Sequence, residues 1–374
     1  AIHGSSSSTA GTANLTLNIN GTLYGSGANS SINFNSASGK TVVINIGATG
    51  ELKSIAPIRL NYFNAATSTI NIADGGKITS LAGGTLVLPK ATITNNGIIS
   101  VAGSNADSIG ATAVSSTGSV LVNKTSSNLA FAGTSTINGA LTFTSGTASL
   151  GANNLTISST GSISGTSASS FIVTNGTGKL IQSATAATPK LFPIGASASS
   201  YDPVTVTPTS ASDFTVGVSS SLSGSPVYGV RYNAKEWSIA SSSPSSTVVA
   251  LTPSSVVESS DPIIGLYSSG AYSNSAATLS GSTFSTTTNT FGSFVTGSNI
   301  LTTDIAAIGS KSIISTSHNQ ITIQNTKAGD TVAVYTINGQ LVKKLTVAGI
   351  QSSYTFPSGI YLVKVNNTTT KIVL

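Results

Sequence analysis

Apolar and polar residues in the first half of the chain recur with a fixed period. From Gly76 to Gly161, glycines followed two places later by an aliphatic residue stand every 21 or 22 residues. Such a period is typical of a β-solenoid, because each coil must present the same inward side chains to the coils beside it. The count predicts a parallel β-helix of about seven coils. The pairs are Gly21 with Leu23, Gly50 with Leu52, Gly76 with Ile78, Gly97 with Ile99, Gly118 with Val120, Gly139 with Leu141 and Gly161 with Ile163.

A second aliphatic position precedes each of these glycines by four residues. We expect the glycine at a corner between two short strands, where it can adopt a positive φ and where a side chain would crowd the next coil. An antiparallel sandwich with regular glycine turns also fits strands at this spacing. The constant period favours the solenoid. The preceding residues are Leu17, Ile46, Ile72, Ile93, Val114, Ser135 and Ile157, and Ile137 can replace the polar one.

This register predicts which side chains face the solenoid core. Glu51 and Lys77 each follow a corner glycine, so they should lie on adjacent coils and point outward as a weak surface ion pair. The side chains expected to point inward are Ile72, Ile78, Ile93, Ile99, Val114, Val120, Leu141, Ile157 and Ile163.

The period ends near Phe171, where a different pattern begins. Apolar residues then alternate at period two between proline and glycine turns, which indicates an antiparallel β-sandwich. Trp237 alternates with Ile239 and is expected in the core of this domain. The alternating segments are 192–195, 201–206, 214–218 and 293–297, and residues 299–308 should connect to the tail.

The tail has its own strand pattern. Residues 330–345 alternate around Asn338-Gly339, which predicts a hairpin. A Gly-Ile-Tyr-Leu-Val run follows Pro357, and the chain closes with Lys-Ile-Val-Leu at 371–374. The complete pattern is all-β: a parallel β-solenoid at 1–170, an antiparallel β-sandwich at 171–300 and a small β-sandwich at 301–374.

This tail resembles the type A C-terminal sorting domain of the type IX secretion system of Bacteroidota. The resemblance implies export by that machinery and a place on the outer cell surface or outside the cell. A small antiparallel β-domain without any export role fits the same residues. The residues that carry the resemblance are Gly359, Tyr361, Val363, Val365, Lys371, Ile372 and Val373.

Composition is consistent with life outside the cell. Only 7% of residues are charged, against about 25% in an average soluble domain. The net charge of +6 reflects scarce acids rather than basic clusters, so nucleic acid is not expected as a partner. The chain contains no cysteine, and it begins Ala1-Ile2-His3, from which we expect a signal peptide already removed. No apolar run is long enough for a transmembrane helix.

The sequence offers little for catalysis. The acids of the solenoid are Glu51, Asp74 and Asp107, and they form no stacked pair in the repeat. His3 and His318 have no evident partners, and no nucleophile elbow, phosphate loop or dinucleotide motif occurs. We therefore expect no enzyme activity, no cofactor and no metal.

Two short segments resemble the O-glycosylation site of exported Bacteroidota proteins. They are Asp107-Ser108-Ile109 and Asp330-Thr331-Val332, so Ser108 and Thr331 are candidate acceptors. Attached sugars would help a surface with so little charge to remain hydrated.

Three functions remain open at this point. They are a structural subunit of an extracellular fibre or matrix, an adhesin that binds glycan or a host surface, and an unrecognised polysaccharide-active enzyme. We rank the fibre first because of the all-β layout, the solenoid, the low charge and the lack of any site. We also expect self-association, because no amphipathic helix precedes the first alternating strand and its edge is free to pair head to tail with another subunit. This expected assembly edge consists of Asn14, Leu15, Thr16, Leu17, Asn18, Ile19 and Asn20.

Overall fold

The chain is built entirely from β-strands in the regions described. A computed structural model describes residues 14–26, 32–34, 39–60, 67–225, 229–256, 260–299, 313–317, 319–324, 326–349, 351–366 and 368–374. All regular elements there are strands, which confirms the all-β class, and no helix in these ranges could cross a membrane. Two compact units are present, Ala1–Asn299 and Ile300–Leu374.

The first unit opens with a β-solenoid of about seven turns, as the glycine period predicts. Three strands form each of the first four coils. They are β1 (Leu15–Ile19), β2 (Thr22–Gly25), β3 (Ile32–Phe34), β4 (Thr41–Ile46), β5 (Glu51–Ser54), β6 (Pro57–Leu60), β7 (Thr67–Ile72), β8 (Lys77–Ser80), β9 (Thr85–Leu88), β10 (Ala91–Asn95), β11 (Ile98–Gly103) and β12 (Asp107–Ile109).

In the fifth and sixth coils, one long strand replaces two short ones. The strands of the fifth to seventh coils are β13 (Thr112–Val114), β14 (Ser119–Phe131), β15 (Ser135–Ile137), β16 (Ala140–Ser149), β17 (Leu155–Ile157), β18 (Ser162–Ser164) and β19 (Ile172–Val173). Stacking in parallel produces three faces. Face 1 starts with β1-β4-β7-β10, face 2 with β2-β5-β8-β11, and face 3 with β3-β6-β9-β12.

The predicted inward side chains form the solenoid core. Ile72, Ile78, Ile93, Ile99, Val114, Val120, Leu141 and Ile157 are all buried, and Ile163 is half-buried against the same core. Ile137 pairs in register with Val114, as expected of the residue that replaces Ser135 in the pattern. Alternation at period two therefore points one aliphatic row of every strand inward.

The predicted stacking is wrong at two places on face 1. Ile93 lies beside Ile70 rather than Ile72, and Leu17 lies beside Ile44 rather than Ile46. The corners before Gly21 and Gly97 are two residues shorter than those before Gly50 and Gly76. The residue that pairs with Ile46 or Ile72 therefore stands two places before its glycine instead of four. Ile19 pairs with Ile46, and Asn95 pairs with Ile72.

Asn95 compensates for the missing length of its corner. In the long corners, the N–H of Gly50 or Gly118 bonds to the carbonyl three residues earlier, at 2.8 and 3.1 Å. In the short corner, the Asn95 Oδ1 accepts the Gly97 N–H at 3.0 Å, and its Nδ2 donates to the Ser119 carbonyl at 2.8 Å. The amide is fully buried yet bonded, which removes the cost of burying it.

The corner glycines are required for close approach and not for a positive φ. A Cβ at Gly50, Gly97 or Gly139 would lie 2.0 to 2.1 Å from a carbonyl oxygen of the neighbouring coil. The same three glycines have no positive φ, so that part of the expectation is wrong. Coils that stack at the β-sheet spacing simply leave no room for a side chain there.

The solenoid passes into the sandwich without a break in its sheet. Strand β20 (Leu180–Ala184) stacks in parallel on β17 and pairs antiparallel with β25 (Ser212–Ser219). Face 1 thereby becomes a 13-stranded sheet that continues from β20 and β25 through β26 (Val230–Ser241), β32 (Gly292–Asn299), β28 (Pro262–Ser268) and β29 (Ala271–Ala276). The predicted boundary between residues 170 and 171 lies inside the compact unit Ala1–Asn299, and the next unit starts at Ile300.

Antiparallel strands build the rest of the first unit. A 5-stranded sheet, β21-β24-β27-β31-β30, accompanies the long one. Trp237 is fully buried, and its Nε1 donates to the Asp202 carbonyl at 2.9 Å, so its expected core position is confirmed. The remaining strands are β21 (Lys190–Phe192), β22 (Ile194–Ser197), β23 (Ser200–Tyr201), β24 (Val204–Pro208), β26 (Val230–Ser241), β27 (Thr247–Leu251), β28 (Pro262–Ser268), β29 (Ala271–Ala276), β30 (Thr278–Ser280), β31 (Thr283–Thr288) and β32 (Gly292–Asn299).

The second unit has its own core between two small sheets. The 3-stranded sheet has the order β33-β34-β37 and the 4-stranded sheet β36-β35-β38-β39. The predicted hairpin is confirmed: β35 and β36 pair antiparallel around a turn in which Gly339 has φ +85°. The strands are β33 (Ile313–Ser317), β34 (Gln320–Gln324), β35 (Thr331–Thr336), β36 (Leu341–Thr346), β37 (Gln351–Thr355), β38 (Ile360–Val365) and β39 (Thr368–Val373).

The core register can be tested with two neighbouring substitutions. Ile99→Asp places an unpaired carboxylate in a fully buried position, so we expect a loss of several kcal/mol or a failure to fold. Ser100→Asp introduces the same group on the outer side of β11 and should change the melting temperature by only a few degrees. Thermal unfolding measures both, and an Ile99→Asp protein as stable as the parent would contradict the register.

Candidate functional site: the open first coil

All three strands of the first coil lie at the ends of their sheets. Strand β1 is the first member of the long sheet, and β2 and β3 are the two ends of the path that joins faces 2 and 3. Each therefore has one edge along which no other described strand pairs. The expected assembly edge, Asn14 to Asn20, contains β1 and the residue on either side of it.

The backbone of β1 presents hydrogen-bonding groups to this free edge. The Ile19 carbonyl accepts the Gly47 N–H at 2.9 Å, so the backbone of Ile19 faces β4. In a strand, alternate residues direct their backbone groups to opposite edges. The N–H and C=O of Thr16 and Asn18 consequently face away from β4, in a geometry suited to one more parallel or antiparallel strand.

The apolar core is also less covered at this end. Leu15, Leu17 and Leu23 of the first coil are half-buried against the core. Their counterparts one coil further, Val42, Ile44 and Leu52, are at most 1% exposed. Another strand layer over the first coil would bury apolar surface worth about 25 cal/mol per Å².

Gly21 occupies a corner like the other repeat glycines, but no described residue of a neighbouring coil lies close to it. A Cβ at Gly50 would meet the Ile19 carbonyl at 2.0 Å, whereas a Cβ at Gly21 would meet no described atom within 4 Å. The first corner therefore has the small profile that allows a neighbouring backbone to approach as closely as the coils approach one another.

The tail residues that resemble a sorting signal come together in one hairpin. Tyr361 lies opposite Ile372, and the backbone N–H groups of Gly359 and Leu374 donate to each other's carbonyl at 3.1 and 2.9 Å. Tyr361, Val363, Val365 and Ile372 are buried in the core of the unit, and Lys371 and Val373 are exposed. The four buried residues thus belong to the core of the small domain, and the two exposed residues lie on its surface.

The same unit presents an open apolar strand. Strand β36 is an edge strand of the 4-stranded sheet and is exposed along nearly its whole length. Leu341 and Val342 are 51% and 44% exposed, which is unusual for aliphatic side chains in a strand. Lys343 and Lys344 follow them on the same edge.

The candidate glycosylation sites differ in their surroundings. Ser108 lies on the outer side of β12 and is half-buried, while the preceding Asp107 is directed into the core. Thr331 is half-buried at the start of β35. Backbone hydrogen bonding from the Lys327 N–H lowers the pKa of Asp330, the acid of that second segment, by stabilising its charged form.

The acids of the solenoid lie in three separate environments. Glu51 and Lys77 are paired in register on face 2 as expected, but the ion-pair partner of Glu51 is Lys53 of its own strand, at 3.1 Å. Asp74 is exposed at a corner, and Asp107 is buried. Among the described residues, no three His, Cys, Asp or Glu side chains group as metal ligands; His3 and His318 lie outside the described residues.

Glu236 in the sandwich is a buried carboxylate that hydrogen bonds hold in place. It accepts hydrogen bonds from the Ser223 N–H at 2.8 Å, the Ser223 hydroxyl at 2.6 Å and the Tyr272 hydroxyl. Burial acts to raise its pKa, but these hydrogen bonds outweigh burial and lower it. Burial, together with the bond to Glu236, raises the pKa of Tyr272 to about 12.

A fully buried ion pair lies inside the solenoid. Lys124 Nζ contacts Asp107 Oδ2 and donates to the Ala102 carbonyl at 3.1 Å, and Asp107 Oδ1 accepts the Leu86 N–H at 2.6 Å. Both side chains are 0% exposed. Sequence reasoning missed this pair, although Asp107 alternates with the buried Ile109, which is a signal for an inward position.

The buried pair predicts an asymmetric mutational effect. Lys124→Met leaves the Asp107 carboxylate buried and unpaired, which should cost about 3–5 kcal/mol of unfolding free energy. Adding Asp107→Asn removes that charge and keeps an acceptor for the Leu86 N–H, so the double variant should regain most of the loss.

Chemical denaturation measures these differences. Lys53→Met is the matched control, because it breaks the partly exposed pair with Glu51 and should cost no more than about 1 kcal/mol. Equal effects of Lys53→Met and Lys124→Met, or a double variant as unstable as Lys124→Met, would contradict the assigned role of the pair.

The chain was compared with protein-family models, curated proteins and solved structures. No family model matches it, and no curated protein or solved structure is detectably similar.

Proposed function

We propose that this protein is a non-catalytic structural subunit of an extracellular fibre or surface matrix, and that its subunits join head to tail through β-edge contacts. The observation that carries this proposal is the open first coil. Within the described part of the chain, three unpaired strand edges, half-buried leucines and a corner glycine that no neighbouring atom approaches lie together at that end. Strand addition would satisfy the backbone groups and bury the apolar side chains in one step.

The second unit supplies a suitable counterpart. The edge of β36 offers a free row of backbone groups beside exposed Leu341 and Val342. A contact between two different surfaces of identical subunits is heterologous, and such contacts produce open filaments when the rotation does not close. The first coil of one subunit would then meet the C-terminal part of the next.

The place of assembly is inferred from the tail and the composition. The Gly359 to Val373 residues resemble a type IX sorting signal, so we infer export by that machinery to the outer surface or the exterior. O-linked sugars at Ser108 or Thr331 would add hydration to a chain in which only 7% of residues are charged.

The alternative function is a cell-surface adhesin that binds glycan or a host surface. The observation in its favour is a polar groove on the outer side of face 1, lined by asparagine side chains. An adhesin would bind through this surface as a monomer, whereas a fibre subunit polymerises without added ligand.

Assembly can be tested by removing a single N–H from the free edge. Thr16→Pro eliminates an N–H that faces away from β4, so the stack within the subunit keeps its own bonds while the edge loses a donor. We expect the parent to form polymers and Thr16→Pro to sediment as a monomer. Thr16→Val is the matched control, because it keeps the N–H and favours the strand, and it should still polymerise.

Analytical ultracentrifugation and electron microscopy distinguish the outcomes. A parent protein that remains monomeric at high concentration would refute the fibre and favour the adhesin. A closed dimer would refute head-to-tail growth, because pairing of two first coils is isologous and stops at two subunits.

Export can be tested separately in a Bacteroidota host. Deleting residues 311–374 should leave the protein in the periplasm, and appending the same segment to a reporter should carry the reporter outside. The first unit has its own core, so the truncated protein should keep its thermal transition and provide the folding control. A truncated protein that still reached the medium would remove the support for this localisation.

A further inference from the structure

An asparagine-lined groove runs along the outer side of face 1 across the first four coils. Its volume is about 490 Å³. The floor includes the backbone around Gly47 and Ala73, where the long corners of the second and third coils meet face 1. The polar side chains that line it are Asn18, Asn20, Asn45, Asn71, Thr94 and Asn96.

Three of these amides form a ladder from coil to coil. The Asn45 Nδ2 donates to the Asn18 Oδ1 at 2.8 Å, and the Asn71 Nδ2 donates to the Asn45 Oδ1 at 2.9 Å. Asn18, Asn45 and Asn71 are in exact register on β1, β4 and β7, and Thr94 of β10 occupies the next rung. Register fixes the spacing of the rungs at about 4.8 Å, the distance between neighbouring strands.

The ladder leaves hydrogen-bonding capacity in every rung. A primary amide carries two N–H donors and two acceptor lone pairs. Asn45 uses one donor towards Asn18 and one lone pair towards Asn71. One donor and one acceptor of Asn45 therefore remain for the groove, and the bonds to the neighbouring rungs hold this amide in a fixed orientation.

The groove is electrically neutral. None of the side chains that line it is charged. Glu51, Lys53 and Lys77 are on face 2 and Arg59 is on face 3. The charged residue next to the lining is Asp74, an acid that follows Ala73 at an exposed corner. A row of paired donors and acceptors without charge complements hydroxyl groups, since each hydroxyl both donates and accepts.

We propose that this groove binds a neutral polysaccharide, with the sugar chain lying along the asparagine ladder. Successive sugar residues would bond to successive rungs through their hydroxyl groups, and the rigid stack would hold the amides ready for binding. Acidic polysaccharides would bind less well, because the groove contains no cation to compensate for a buried carboxylate.

Biolayer interferometry on polysaccharide-coated sensors tests this proposal with the full chain. Sensors coated with dextran, mannan, laminarin or starch are compared with one coated with alginate, which is acidic. We expect binding to at least one neutral polysaccharide and weak or no binding to alginate. Asn45→Asp should raise the Kd for that neutral ligand roughly tenfold, since it replaces a donor by a charge in the middle of the ladder.

Asn123→Asp provides the matched control on another face. Asn123 is also an exposed amide that accepts a bond from the next coil, from the Ser145 hydroxyl at 2.9 Å, but it lies on face 2. This variant should bind as the parent does. Thr94→Val removes a hydroxyl from the groove without touching the ladder bonds, and it should weaken binding even if Asn45→Asp lowers the stability of the stack.

The possible results are decisive in either direction. Binding to a neutral polysaccharide that is weakened by Asn45→Asp and Thr94→Val, but not by Asn123→Asp, supports the site. Absence of binding to all four neutral polysaccharides overturns it. Alginate bound as tightly as the neutral chains, or equal losses in Asn123→Asp, also overturns it. The result is independent of polymer formation, because sensors report binding by monomers and polymers alike.

Discussion

Backbone hydrogen bonding between coils at the strand spacing is the constraint on which the rest of this structure depends. It forces each inward position to repeat, which produces the aliphatic columns of the core. It also excludes side chains from the corners, where carbonyl oxygens of the neighbouring coil lie 2.0 Å from the Cβ that Gly50 or Gly139 would need. The same spacing aligns outward side chains, so identical amides on successive coils become a ladder.

The charged pair of the interior illustrates how little freedom this stacking leaves. Lys124 lies in register with Gly103 of the preceding coil, and a Cβ at Gly146 of the following coil would approach the Lys124 Cβ to 2.5 Å. Glycine at position 146 thus makes space for the lysine at the bend between faces 2 and 3. Desolvation of two charges is costly, and the added bonds to Ala102 and Leu86 offset part of that cost.

Much of the fold could be predicted from the chain because its period is strict. The all-β class, the coil count and the buried positions Ile78, Ile99 and Leu141 follow from glycine spacing and alternation alone. The pairing of Ile93 could not be predicted in the same way, because counting residues back from each glycine assumes corners of equal length, and the corners have two lengths. The burial of Asn95 could not be predicted for a related reason. A buried amide is stable only where backbone groups form hydrogen bonds with it, and the sequence does not show where those groups lie. The half-buried leucines of the first coil and the amide groove could not be predicted, because both depend on three-dimensional register.

The uninterrupted sheet of the first unit has a mechanical consequence. Face 1 continues from β1 through β20 into the antiparallel strands without a change of sheet. Hydrogen bonds between its strands run along the direction in which coils stack, so a pull on the first coil loads successive strand pairs in series. A force applied at one end of the stack reaches the sandwich through backbone bonds rather than through a flexible linker. Three faces carry that load side by side in the solenoid, whereas two strand pairs, β17 with β20 and β19 with β22, carry it into the antiparallel region, so we expect the stack to yield first at these pairs.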